Sequence, residues 1–129
     1  MAKQTIAQLF DLTGKSAVVT GGAMGIGRGI VTRLAEAGAS VMIADIDINA
    51  ANETAEKLKA KGFKTAAIKA DVSSAVDAEK VAQATVQTFG GLDILVNNAG
   101  IFPTSGFMDT TEEMWNKVLK INLTGVFLL

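Results

Sequence analysis

The sequence has no cysteine, no histidine and no tyrosine, and only one proline and one tryptophan. Without cysteine there is neither a disulfide nor thiolate chemistry, a composition suited to a reducing compartment. The absence of histidine and tyrosine removes two side chains widely used to move protons near neutral pH, so an acid or base here has to be a lysine, a carboxylate or a group from outside these residues. Neither sign of charge dominates, because 12 basic and 13 acidic residues leave a net charge of −1. That balance offers no basic face to a nucleic acid and no acidic tail. No apolar run reaches membrane-span length, and residues 1–14 lack the apolar core of a signal peptide. The expectation is a soluble cytoplasmic protein with no metal, nucleic-acid or membrane partner. Its 129 residues suit one domain with a real core.

What is present is organised around residues 15–27, Lys-Ser-Ala-Val-Val-Thr-Gly-Gly-Ala-Met-Gly-Ile-Gly. A short apolar run ends at Thr20, passes through Gly21, Gly22, Gly25 and Gly27, and opens into a helical pattern near Ile26. A strand, a glycine turn and a helix in that order suit a phosphate, since glycines bring backbone close to a ligand and unpaired amides at a helix start point at an anion. Eighteen residues beyond Gly27, Asp45 ends the next apolar run, close to the spacing at which a carboxylate accepts hydrogen bonds from a ribose hydroxyl. A helix-capping role for Asp45 is the competing explanation.

The rest alternates. Strands are predicted at Ser16–Thr20, Ser40–Asp45, Lys64–Lys69 and Asp93–Asn97. Helices are predicted at Met24–Ala37, with Ile26, Ile30, Leu34 and Ala37 inward, at Ile48–Lys61, with Ile48, Ala51, Ala55 and Leu58 inward, and from Ser74 to Gly90. Ser74 with Asp77, and Thr110 with Glu113, read as capping boxes, the second opening a helix that carries Met114, Trp115, Val118, Leu119 and Val126. The unbroken run Val41–Ala44 marks a strand buried on both faces. The pattern predicts an α/β fold, a parallel sheet with right-handed crossovers, with the ligand crevice at the carboxyl ends of the strands. Asp45, Asp71 and Asn98 to Gly100 all fall at such ends. Asn122 lies seven residues after Trp115 and four before Val126, on their apolar stripe, where an unpartnered buried amide would cost about 1–3 kcal/mol.

Thr20-Gly21-Gly22-Ala23-Met24-Gly25-Ile26-Gly27, Asp71-Val72, Asn97-Asn98-Ala99-Gly100 and Asn122 together resemble the short-chain dehydrogenase/reductase family. The family pattern TGxxxGxG is matched by Gly21, Gly25 and Gly27. The resemblance implies a Rossmann-type, doubly wound parallel sheet in strand order 3-2-1-4 and a nicotinamide dinucleotide held by Gly21, Gly25, Ile26, Gly27, Asp45, Ile46, Asp71, Val72, Asn98, Ala99 and Gly100, with Asp71 and Val72 against the adenine. It makes Asn122 the asparagine of the catalytic tetrad, kinking its helix and holding a water in a proton relay. NAD is favoured over NADP, because a carboxylate at Asp45 welcomes two ribose hydroxyls and repels a 2′-phosphate, and Met24 stands in the turn where a basic residue would help bind that phosphate.

The family's serine, tyrosine and lysine would all follow residue 129, and no tyrosine is present. The uncapped end Gly125 to Leu129 and an open strand-four edge lead to the expectation that residues 1–129 are an incomplete NAD-binding domain ending inside a helix. Two functions follow. The parent protein would move a hydride between NAD and an alcohol or carbonyl compound, whereas these 129 residues alone would bind the dinucleotide without turnover. An interaction protein that binds no nucleotide is a third, weaker alternative. Phe102, Pro103 and Thr104 fit a substrate wall or a plain loop, and substrate identity stays open. The resemblance further implies a homodimer or homotetramer built through the last helix.

Overall fold

A computed structural model describes residues 3–129. The elements are α1 (Ile6–Leu9), β1 (Ser16–Thr20), α2 (Gly25–Glu36), β2 (Ser40–Asp45), α3 (Ile48–Lys59), β3 (Thr65–Lys69), α4 (Ala75–Phe89), β4 (Ile94–Val96), a short 3-10 turn at Phe107–Asp109, α5 (Glu112–Leu119), a π-helical turn at Lys120–Thr124, and α6 (Gly125–Leu128). The four strands form one parallel sheet in the order β3-β2-β1-β4, as the resemblance implies. Register pairs Val18 with Met42 and with Leu95.

Successive strand side chains point to opposite faces, and two cores result. On one side Ala17, Val19, Val41 and Ile43 meet Val31 and Ala35 of α2 and Ala51, Ala55 and Leu58 of α3. On the other, Val18, Met42 and Ala44 meet Val81 of α4 and Ala70. Burial on both faces explains why β1 and β2 carry no polar alternation: each fully buried Val or Ile contributes about 1.5–3 kcal/mol. β4, paired with β1 alone among the described residues, is less covered and leaves Leu95 exposed.

Several boundaries and faces differ from the periodicity. In α2 the buried positions are Gly27, Val31 and Ala35, while Ile26 is 80% exposed. The glycine turn lets α2 lie so close to the sheet that only a residue without a side chain fits at its first contact, which rotates the expected stripe by one position. At α5 the cap is Thr111, accepting from the Met114 amide, because the Thr110 hydroxyl is spent on the Gly106 carbonyl. Ser74 caps α4 as expected, but Asp77 reaches the Asp71 amide rather than closing a box on Ser74. The lysines at 57 and 59 are exposed and pair with Glu53 and Glu56, the solvated face of α3.

Candidate functional site

The turn between β1 and α2 is built in two halves. Gly22 and Ala23 are packed into the core, and a side chain at Gly22 would meet the Val19 carbonyl at 3.0 Å. Gly21 takes φ +62 and donates its amide to the Ala44 carbonyl at 2.8 Å, tying the turn to the end of β2. The second half faces solvent: Met24 is 61% exposed, and Gly25 takes φ +53, a conformation that a side chain would strain. Gly27 is the contact that fixes the helix, since a Cβ there would lie 2.0 Å from the Gly21 carbonyl oxygen and 2.6 Å from Asn98 Nδ2.

The start of α2 carries no side-chain cap. Its first bonded amide is that of Arg28, which donates to the Met24 carbonyl, and the four amides of Met24 to Gly27 find no acceptor among the described residues. By contrast α1, α3, α4 and α5 open on the side chains of Thr5, Asp47, Ser74 and Thr111. An uncapped start concentrates donors and the positive end of the helix dipole at one point, which suits an anion.

Asp45 stands beside this turn at the end of β2. Its Oδ2 accepts from the Ala23 amide and its Oδ1 from the Asp47 amide, each at 3.0 Å. It does not cap α3; Asp47 does, through the amides of Asn49 and Ala50. Each Asp45 oxygen still has a second lone pair, so the carboxylate can accept two further hydrogen bonds side by side, as a vicinal diol requires.

A groove of about 210 Å³ runs from Asp45 across the sheet edge, lined by Gly21, Asp45, Ile46, Asp71, Val72, Ala99 and Gly100, with Ala44, Ala70, Ile101 and Ile121. Seven of the residues singled out in the sequence therefore share one depression. Asp71 is held below the usual carboxylate range by the Ser73 hydroxyl and then by the Ser73 amide, both on Oδ1, with burial opposing and Lys120 adding a weak attraction. Its charge persists at neutral pH.

Asn98 lies behind the groove. Its Nδ2 donates to the carbonyls of Thr20 and Gly21 at 3.0 and 3.1 Å, and the Thr20 hydroxyl accepts from the amides of Asn98 and Ala99. The asparagine thus fixes the turn from below. Asn122 sits in the π-helical turn, half-buried, and pairs with both backbone groups of Ile101 at 2.9 Å. That pairing fastens the loop after β4 to the last helical segment. Trp115 and Val126, on the same sequence stripe, are 58% and 45% exposed, so the stripe is not buried among the described residues.

The sequence pattern did not single out Thr20, Thr54 or Ile101 as parts of the site. Thr54 had a signal: a hydroxyl on the inner stripe Ala51, Thr54, Ala55, Leu58 needs a partner. Ile101 had none, because its role is played by backbone.

Comparisons agree with this geometry. Residues 15–129 match the short chain dehydrogenase family. A Thermotoga maritima protein named an oxidoreductase is 46% identical over 92% of this chain and 47% of its own length. The 3beta-hydroxysteroid dehydrogenase 2 of Eggerthella lenta is 42% identical over 89% of this chain and 45% of its own. Among solved structures, a short-chain dehydrogenase/reductase from Burkholderia phymatum, in complex with NAD, superposes with a TM-score of 0.87 at 30% identity, over 92% of this chain and 42% of that one. The chain spans about half the length of the curated relatives it matches. No described helix is long and apolar enough to cross a membrane. With the family's glycine turn, parallel sheet and Asn-Ala-Gly strand end all in place, the chain belongs to the short-chain dehydrogenase family.

Proposed function

We propose that this chain is the NAD-binding half of an oxidoreductase acting on an alcohol or carbonyl compound, and that the 129 residues by themselves bind the dinucleotide without turnover. The observation that carries the reading is the uncapped start of α2 opening beside a groove flanked by Asp45. The residues fit a dinucleotide: four free amides for a pyrophosphate, a carboxylate with two spare acceptor sites for a ribose diol, and the apolar Ile46, Val72 and Ala99 for an adenine. Gly25 and Ile26 would present their amides to the phosphates, and Gly21, Gly27 and Asn98 hold the turn that aims them. When bound, NAD supplies the hydride-transferring nicotinamide, and the protein positions it. Asn122 is the family's relay asparagine in this reading, and its hold on Ile101 sets the shape of the substrate side of the crevice. A homodimer or homotetramer through the last helix would cover Trp115, Leu119, Leu123, Val126 and Phe127, all exposed here.

NAD rather than NADP follows from Asp45, whose charge opposes a 2′-phosphate in the position it would occupy. Fluorescence titration of the chain with NADH and NADPH is expected to favour NADH by at least about tenfold, equivalent to about 1.4 kcal/mol. Asp45→Ala combined with Ile46→Arg should reverse the order. Folded protein that binds neither cofactor would leave only an interaction role for this fold. Turnover of an alcohol by the 129 residues alone would instead remove the non-catalytic part of the proposal.

A further inference from the structure

We infer that Thr54, on α3 and outside the groove, is a positioning residue that keeps the phosphate-binding amides of the glycine turn open. The inference rests on the dinucleotide reading above. Threonines inside helices usually bond back to the carbonyl four residues earlier, and two here do so: Thr32 to Arg28 at 2.8 Å and Thr85 to Val81 at 2.7 Å. Thr54 does not. Its hydroxyl crosses to the Ala23 carbonyl at 2.8 Å, a contact 31 residues away in sequence, and both residues are buried.

Ala23 is therefore gripped on both sides, its N–H by Asp45 Oδ2 and its carbonyl by Thr54. The grip has a specific consequence for α2. In a helix that began one residue earlier, the Ala23 carbonyl would accept the Gly27 amide, Met24 would turn helical, and one of the four free donors would be consumed. Instead Met24 stays extended at φ −141 and ψ 170, and the Gly27 amide remains available. Thr54 satisfies the carbonyl so that the helix does not.

The role is tested by comparing a ligand with phosphates and one without. Calorimetric titrations of the unmodified chain, Thr54→Val and Thr54→Ser would use ADP and adenosine as probes. Thr54→Val should weaken ADP about tenfold, as expected for one lost buried hydrogen bond, and change adenosine by less than about twofold. Thr54→Ser should restore ADP affinity. Equal losses for the two probes, or none, overturn the inference, while failure of the unmodified chain to bind ADP sinks the dinucleotide reading and this inference with it. Should Thr54→Val not fold, amide exchange in the unmodified chain decides: Gly27 should exchange fast before any ligand is added, with ADP, and not adenosine, slowing Met24 to Gly27. A Gly27 amide protected in the absence of ligand overturns the role.

Discussion

Two turns at the same edge of the sheet treat their polar groups in opposite ways. After β3, the polar side chains are bonded within the turn: Asp71 accepts the Ser73 hydroxyl and amide, Asp77 accepts the Asp71 amide, and Ser74 accepts the Asp77 amide. After β1, the protein fixes the first half of the turn with Asp45, Thr54 and Asn98 and leaves the next four amides without partners among the described residues. Turn chemistry alone would cap both. The difference separates a turn whose polar side chains are tied into the fold from one whose backbone donors are left open, since uncapped amides cost stability that a cap of Asp, Ser or Thr recovers at about 1 kcal/mol.

The largest effect should come from closing the open turn sterically. Gly27→Ala places a methyl group 2.0 Å from the Gly21 carbonyl oxygen, a backbone atom that cannot swing away. Overpacking of this kind costs about 3 kcal/mol or more, and ADP or NADH binding should fall below detection while the thermal midpoint drops by about 10 °C or more. Gly29→Ala is the matched control. Nothing lies within 4 Å of a Cβ at that position, so the midpoint should hold or rise, by about 0.5–1 kcal/mol of helix propensity. Similar losses at the two positions would mean that the tight contact at Gly27 is not what shapes the turn.

A smaller effect should follow from exchanging the characters of two neighbouring helix starts. Met24 already has the extended backbone of an N-cap, so Met24→Asp can give α2 the cap that Asp47 gives α3. The variant should gain about 0.5–1 kcal/mol in chemical denaturation and lose about tenfold or more in ADP affinity, because a carboxylate then occupies the anion's place. Asp47→Ala is the mirror image: α3 loses its cap at a cost of about 1 kcal/mol, with ADP affinity nearly unchanged. If both substitutions moved stability and left binding alone, the two helix starts would be equivalent.

Most of this arrangement was legible in the sequence, for a reason that also marks the limit. Strand positions followed from apolar runs such as Val41–Ala44, whose burial on both faces is a property of composition alone. Gly21, Gly25 and Gly27 announced the turn because only glycine suits two of those backbone angles and the third leaves no room for a Cβ. Side-chain direction on α2 was not legible. The expected inner face put Ile26 in the core, yet the close approach at Gly27 turned it to solvent, a consequence of tertiary distance and not of local pattern. Asp45 was singled out, but the capping role of Asp47, two positions on, was not, although one carboxylate caps a helix and the other clamps a turn. The pairing of Asn122 with Ile101 needed the π turn, which periodicity does not encode.

The smallest effect belongs to the closed turn, and it has a pH signature. The Ser73 hydroxyl and amide lower the pKa of Asp71, so the ionised form is favoured by folding. A carboxyl group with a depressed folded pKa adds stability that is present above its unfolded value, near 3.8, and is lost as pH falls through the folded one. Ser73→Ala removes the largest cause of the depression. The variant should be less stable than the parent at pH 7 by under about 1 kcal/mol, given how open the turn is to water, and the two stability curves should converge as the pH falls below about 4. A constant gap across that window would assign the loss to packing. Convergence would place it in the ring of hydrogen bonds that keeps this turn closed while its neighbour after β1 stays open.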